Sequence, residues 1–114
     1  MYKKKNSLEK RKQESESILK KYPSRIPVIV EKSSGCKDIN EIDKTKYLVP
    51  DDLTMGQFIF VIRKRLKLSA DKSLFLFVNN SLIPSVNLMK QVYDQNADKD
   101  GFLYILYTSE NTFG

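Results

Sequence analysis

The segment TMGQFIFVIRKRL, residues 54–66, carries the strongest indication of the fold. Thr54 and Gln57 have the spacing of a capping box, in which a hydroxyl and an amide three residues apart each bond the other's backbone. At about 100° per residue, four apolar side chains fall on one stripe: Met55, Ile59, Ile62 and Leu66. We therefore predict a helix that lays this stripe on a hydrophobic core.

Strand patterns lie on both sides of this helix. Residues 26–30 are apolar in both alternating rows, which predicts a strand covered on both faces. Residues 46–50 end in proline, which suits a strand at the edge of a sheet. Residues 74–78 and 102–107 predict two further strands, and residues 88–94 predict a short helix between them.

Ahead of these elements, the sequence favours an N-terminal helix that Ser7 caps and Pro23 ends. Its apolar stripe is thin, so we place it on a surface. The order of elements describes an α+β fold of the β-grasp type, with a four-stranded mixed sheet and an N-terminal helical extension. We predict a basic extension over residues 1–24, a β-grasp domain over residues 25–108 and a flexible tail over residues 109–114.

The composition argues against catalysis. The 114 residues include no His, one Cys and four scattered Gly, which removes the usual general base, most zinc sites and any phosphate-binding glycine loop. Residues 96–101 resemble half of a calcium loop, but its twelfth position is Tyr107 instead of Glu, so we interpret them as a charged turn. We expect no enzyme, no metal and no cofactor.

The net charge of +6 lies wholly in residues 1–25, which hold nine Lys/Arg against three Glu. Such a segment attracts anionic membranes, nucleic acid or acidic proteins, or else is a solvated helix face. A single Cys36, no apolar leader after Met1 and no apolar run long enough for a bilayer predict a cytoplasmic protein.

The edge strand predicted over residues 46–50 offers unpaired backbone groups to an extended peptide. Leu48 and Val49 point to opposite sides of it, so each can belong to a separate apolar pocket. Under the N-terminal helix, the residues that can join Leu48 are Ile18, Pro27 and Ile29; above the central helix, those that can join Val49 are Leu53, Phe58 and Val61.

Basic residues at the margins of these pockets, Arg25, Lys46 and Arg65, favour acidic residues in the partner. The alternative is that the pocket residues are ordinary core, and for Ile29 and Phe58 taken singly core burial is favoured. The chain ends in Gly114, which has no Cβ to crowd an activated acyl carbon. On a β-grasp fold this ending favours conjugation through the terminal carboxylate.

Long stretches of the chain match one family. They are residues 9–12 (EKRK), 14–16 (ESE), 25–29 (RIPVI), 43–44 (DK), 46–50 (KYLVP), 52–54 (DLT), 56–58 (GQF), 62–65 (IRKR), 77–79 (FVN), 98–104 (DKDGFLY) and 113–114 (FG). With these stretches the chain resembles, over nearly its whole length, the ubiquitin-like autophagy modifiers, the family that includes GABARAP.

The resemblance implies that an E1-like enzyme activates Gly114, that E2-like enzymes carry it as a thioester and that it is joined to phosphatidylethanolamine. A cysteine protease would process and deconjugate the protein. On the autophagosome membrane, the lipidated form would recruit cargo receptors with short motifs of the aromatic-x-x-aliphatic type. The implied aromatic pocket comprises Glu14, Ile18, Pro27, Ile29, Lys46, Leu48 and Phe102, and the implied aliphatic pocket comprises Tyr47, Val49, Pro50, Leu53, Phe58, Val61 and Ile62.

Two other functions stay open at this point. One is a peptide-binding adaptor that works in vesicle traffic or on the cytoskeleton without being conjugated. The other is a nucleic-acid binder that uses the basic N-terminal segment, with an affinity that falls steeply with salt. No arrangement of stacking aromatics and no recognised motif supports the second, so we expect no nucleic acid among the partners.

Overall fold

The computed structural model describes residues 1–110, which form a mixed sheet with helices on both faces. The helices are α1 (Tyr2–Lys5), α2 (Leu8–Lys21), α3 (Met55–Leu66) and α4 (Met89–Asn96), and the strands are β1 (Arg25–Lys32), β2 (Lys46–Pro50), β3 (Phe75–Val78), β4 (Ser81–Leu82) and β5 (Leu103–Thr108). Within this part of the chain no helix has the length and apolar character that crossing a membrane requires.

The sheet has the strand order β2-β1-β5-β3-β4. β1 pairs antiparallel with β2 and parallel with β5, and β3 pairs antiparallel with β5 and β4. This confirms the predicted α+β fold with a mixed sheet. The prediction of four strands was wrong by one: Asn79 and Asn80 both adopt positive φ, at 49° and 66°, and turn the chain back into the two-residue strand β4.

The central helix α3 begins as predicted. Gln57 N–H donates to Thr54 Oγ1 at 3.1 Å, and Thr54 N–H donates to Gln57 Oε1 at 2.9 Å, which completes the capping box. Met55 and Ile62 of the predicted stripe are buried, whereas Ile59 and Leu66 are only partly buried against the core. Phe58 beside the stripe is buried as deeply as Met55. α3 therefore faces the core with an arc that includes Phe58.

Each face of the sheet carries its own apolar layer. Val28 and Val30 belong to the main core under α3, together with Tyr47 and Val49 of β2. Ile29 is fully buried but lies outside that core cluster, on the opposite face of β1, against which α2 packs. The prediction that this strand is covered on both faces is thus confirmed.

The N-terminal segment is ordered against the sheet. The predicted helix is α2, and Ser7 caps it by accepting from Lys10 N–H at 3.2 Å. α1 was missed, because four residues are too few to show a period. Not all of the basic charge is solvated: the Arg11 guanidinium is buried and donates to Asp100 at 2.6 Å.

Asp100 lies in the turn that leads into β5, and this turn fits closely under α2. Ser15 Oγ donates to the Asp100 carbonyl, and Gly101 adopts a φ of 91°. A Cβ at Gly101 would overlap the Ser15 side chain, so the turn needs glycine for both its backbone and its close approach. The charged turn expected over residues 96–101 thereby docks α2.

Candidate peptide-binding site

Strand β2 forms one edge of the described sheet and pairs with β1 alone within it. Val30 N–H donates to the Thr45 carbonyl at 2.8 Å, immediately before β2 begins. In an antiparallel ladder, residues alternate between those that bond the partner strand and those whose backbone groups face away. The backbone groups of Lys46 and Leu48 therefore face away from β1, where an added strand would meet them.

Arg25 lies next to this edge. Its guanidinium Nη1 donates to the Leu48 carbonyl at 3.2 Å, so one of the outward acceptors of β2 is occupied in the free chain. We predicted that Arg25 complements acidic residues of a partner, and Arg25 is exposed in the free chain. A strand that pairs with Leu48 would displace this contact and free the Arg25 charge.

The residues of the aromatic pocket lie on the face of the sheet that α2 covers. The register places Leu48 opposite Pro27 and Lys46 opposite Ile29. Ile29, Pro27 and Phe102 are buried and form a floor. The half-buried members form the accessible part: Glu14, Ile18, Lys46 and Leu48. The structure thus brings the predicted set together as a covered apolar floor with a partly polar rim.

Glu14 is the electrostatic centre of this rim. Its carboxylate accepts from Lys46 Nζ and from the Tyr2 hydroxyl. Burial opposes ionisation of Glu14, but the hydrogen bonds from Lys46 and Tyr2 outweigh it and hold the pKa of this carboxyl below its usual range. Burial, followed by the hydrogen bond to Glu14, raises the pKa of Tyr2, so its hydroxyl stays protonated and donates.

Pro50 follows Lys46 and Leu48 in the same alternating row of β2, so its position differs from the predicted one. The other residues of the aliphatic pocket lie on the opposite face, over α3. The buried members, which belong to the main core, are Tyr47, Val49, Phe58 and Ile62. The accessible members are Leu53 and Val61, of which Val61 is 41% exposed. The surface that a partner can contact on this side is therefore smaller than the predicted set, and its floor is the protein core itself.

Charges and rings also organise this second face. The Arg65 guanidinium donates to both carboxylate oxygens of Asp43, at 2.8 and 3.3 Å. The Tyr47 ring packs edge-on against Phe58 at 5.8 Å, and its hydroxyl is buried without a hydrogen-bond partner among residues 1–110. Burial raises the pKa of Tyr47 to about 12. Arg65, expected to meet acidic partner residues, is thus already paired within the chain.

Residues 111–114 of the predicted flexible tail, which include the predicted conjugation site Gly114, lie outside the described residues. The structure does describe where the tail leaves the sheet. Ser109 Oγ donates to Asp38 Oδ1 at 2.5 Å, and the Tyr107 hydroxyl donates to the Asn40 carbonyl at 2.6 Å. Hydrogen bonds therefore connect the segment after β1 to the end of β5. The hydrogen bond from Ser109 also holds the pKa of Asp38 below its usual range.

Sequence reasoning missed two members of the site, Tyr2 and Asp43. Tyr2 contacts Glu14 and Phe102 of the aromatic pocket, and Asp43 neutralises Arg65 beside the aliphatic pocket. The signal for Tyr2 was a single aromatic residue in a run of lysines, which by itself indicates no location. Tyr2 also borders a cleft of about 380 Å³ between α1, the end of β1 and residues 41–45.

Comparisons with known proteins agree with this architecture. A family model described as autophagy protein Atg8, ubiquitin like, matches residues 10–114. The chain is 61% identical over 106 residues to autophagy-related protein 8 of Kluyveromyces lactis, covering 93% of this chain and 85% of that protein. It is 58% identical over 114 residues to autophagy-related protein 8e of Arabidopsis thaliana, covering 100% and 93%. The crystal structure of Trypanosoma brucei ATG8 superposes with a TM-score of 0.91 at 42% identity, covering 99% of this chain and 97% of that one.

Proposed function

The chain belongs to the Atg8 family of ubiquitin-like autophagy proteins, and from this premise we propose that it acts as a lipid-conjugated modifier and as a docking scaffold. Its Gly114 is joined to phosphatidylethanolamine, and it then recruits proteins that carry an aromatic-x-x-aliphatic motif. The observation that carries the docking role is the edge strand β2, which has an accessible apolar surface on each of its two faces.

The spacing of the motif fits this edge. In an extended segment, residues three positions apart point to opposite faces. A segment that pairs with the outward backbone groups of Lys46 and Leu48 would therefore send its aromatic residue toward α2 and its aliphatic residue toward α3. The first would contact Ile18 and Leu48, and the second would contact Leu53 and Val61.

The basic side chains at the site favour acidic partners, but two of them already form ion pairs within the chain. A partner's carboxylate would have to replace the internal one. Lys46 is paired with Glu14, and Arg65 is paired with Asp43. An acidic residue beside the motif would compete with these internal carboxylates for the same cations. Charge then selects among partners more than it raises affinity.

Conjugation requires partners of another class. We propose that E1-like and E2-like enzymes transfer the Gly114 carboxylate and that a cysteine protease processes and releases it. The protein would be cytoplasmic before conjugation and would lie on the autophagosome membrane after it. Its own residues supply recognition surfaces, and the conjugation chemistry is that of the enzymes.

The test is the intact mass of the protein recovered from membranes of starved cells. A gain equal to phosphatidylethanolamine, mapped to Gly114 by fragmentation, is the expected result. A variant that lacks Gly114 should lose both the mass gain and the membrane-bound fraction. An unmodified mass in a protein that still sediments with membranes would favour an unconjugated adaptor in vesicle traffic or on the cytoskeleton.

A further inference from the structure

The floor of the aromatic pocket is closed in the free chain. Ile29 and Phe102, which form this floor, are fully buried. The ring of Tyr2 lies edge-on to Phe102, with centroids 5.5 Å apart and an angle of 70° between the planes. Because protein interiors are close-packed, a partner's ring cannot contact Phe102 at the place that Tyr2 holds.

Tyr2 also occupies the polar rim of this pocket. Its hydroxyl donates to Glu14, whose other carboxylate oxygen accepts from Lys46. Lys46 Nζ in turn lies 5.5 Å from the centroid of the Tyr2 ring. Ring packing, a hydrogen bond to a carboxylate and a cation over the ring are the contacts that the pocket could offer to an aromatic ligand. Tyr2 already makes all three.

The helix that carries Tyr2 is held by polar contacts, by the Tyr2 ring and by the Lys3 ammonium, which lies 4.5 Å from the centroid of the Tyr104 ring. α1 has four residues, none of them buried, and a helix of this length is not stable on its own. Tyr2 N–H donates to Glu31 at 2.7 Å, and Lys3 pairs with Asp98 at 2.6 Å. The lysine of this pair is about half exposed, at 48%, and ion pairs near the surface stabilise weakly. α2 is docked independently through Arg11 and Asp100, so α1 can leave the sheet while α2 stays.

We propose that Tyr2 is an internal occupant of the aromatic pocket, a lid residue that a partner's aromatic side chain must displace. This inference rests on the proposed function, because it concerns the same pocket. A partner then binds the fraction of molecules in which α1 has opened, and the apparent affinity is lower by that fraction. Opening also frees the Glu14 carboxylate to accept a hydrogen bond from the N–H of an indole ring.

The experiment measures binding of an acidic Trp-x-x-Leu peptide to the full chain and to variants. The chain contains no Trp, so selectively excited fluorescence reports the peptide's indole alone. We expect Tyr2→Ala to lower the dissociation constant about five- to thirtyfold, because it removes one ring contact and one hydrogen bond that close the lid. Tyr2→Phe keeps the ring and loses the hydroxyl, so its gain should be about two- to fivefold.

The association and dissociation rates, together with a matched control, distinguish a Tyr2 that is displaced on binding from a Tyr2 that is a fixed part of the pocket. If α1 opens before the peptide binds, Tyr2→Ala raises the association rate and leaves the dissociation rate nearly unchanged. Tyr22→Ala makes the same substitution at an exposed tyrosine just after α2 and should leave both rates as they are. Circular dichroism of each variant confirms that the fold is retained.

An unchanged or weaker affinity in Tyr2→Ala, for a peptide that the wild-type chain binds, would overturn the lid and leave the proposed docking function standing. A tighter complex that arises from slower dissociation alone would also overturn it. If neither the wild-type chain nor folded Tyr2→Ala binds the peptide, the docking function itself is refuted, and the lid with it.

Discussion

Replacement of Asp100 by Ala tests the contact that docks the N-terminal helices on the sheet. The Asp100 side chain is fully buried and accepts from Arg11 at 2.6 Å, from the Tyr104 hydroxyl at 2.5 Å and from Phe102 N–H at 2.8 Å. Asp100→Ala leaves three donors without this acceptor. Removing the acidic partner of a buried ion pair costs ~3–5 kcal/mol. We expect a loss of this size in the free energy of unfolding, a large share of the ~5–15 kcal/mol that stabilises a domain.

The matched control is Asp94→Ala. Asp94 pairs with Lys90 at 3.3 Å one helical turn away, and both side chains are more than half exposed. Exposed pairs of this kind contribute at most ~0.5 kcal/mol. Urea unfolding followed by far-ultraviolet circular dichroism measures both variants, provided that the slope against urea stays constant. Equal losses in the two variants would refute the assignment of Asp100 as the docking contact.

Three further outcomes follow from the same structure. Gly101→Ala should cost ~2–4 kcal/mol in thermal unfolding, because φ is 91° and a Cβ would overlap Ser15; an unchanged melting temperature would contradict this. Leu48→Ala should weaken binding of the Trp-x-x-Leu peptide by ~1–3 kcal/mol in calorimetry, whereas Leu82→Ala at the opposite edge of the sheet should leave binding unchanged. Equal effects of the two substitutions would contradict a binding site at β2. Burial of Glu14 is outweighed by its hydrogen bonds, so its pKa is lowered, and its contribution to stability is complete above 4.5 and lost as pH falls through the lowered value. In Glu14→Gln, the melting temperature should therefore fall less steeply below pH 4.5 than in the wild-type chain. An equally steep fall in both proteins would contradict the hydrogen bonds that Glu14 accepts from Lys46 and Tyr2.

Local signals were enough to predict most elements. The capping box at Thr54 needs only neighbours three residues apart, and both of its hydrogen bonds are present. The two apolar rows of β1 need only the alternation of a strand, and the register separates them as predicted. The same alternation assigned Leu48 and Val49 to opposite faces. For strand β1 and for Leu48 and Val49, the period alone was therefore enough to predict the direction of the side chains.

The sequence could not predict features that depend on tertiary placement. α1 and β4 are four and two residues long, too short for any period. The burial of Phe58 depends on how α3 is rotated over the sheet. Arg11 and Asp100 lie 89 residues apart, and nothing local to either identifies the other as its partner. The same limit applies to Tyr2, because its ring partner Phe102 lies near the other end of the chain and nothing local to Tyr2 identifies it.

The charged residues around β2 indicate that the recognition we propose at this edge would be an exchange of contacts. Lys46, Arg65 and Arg25 each have an internal acceptor in the free chain: Glu14, Asp43 and the Leu48 carbonyl. A partner that brings acidic residues and a backbone strand replaces these contacts one for one, so the net gain in free energy is the difference between similar terms. Apolar surface is different, because Ile18, Leu53 and Val61 have exposed area that only a partner can bury. We therefore expect the two anchor side chains to supply the affinity, while the charges select which segments bind and Tyr2 sets how often the aromatic pocket is open to them.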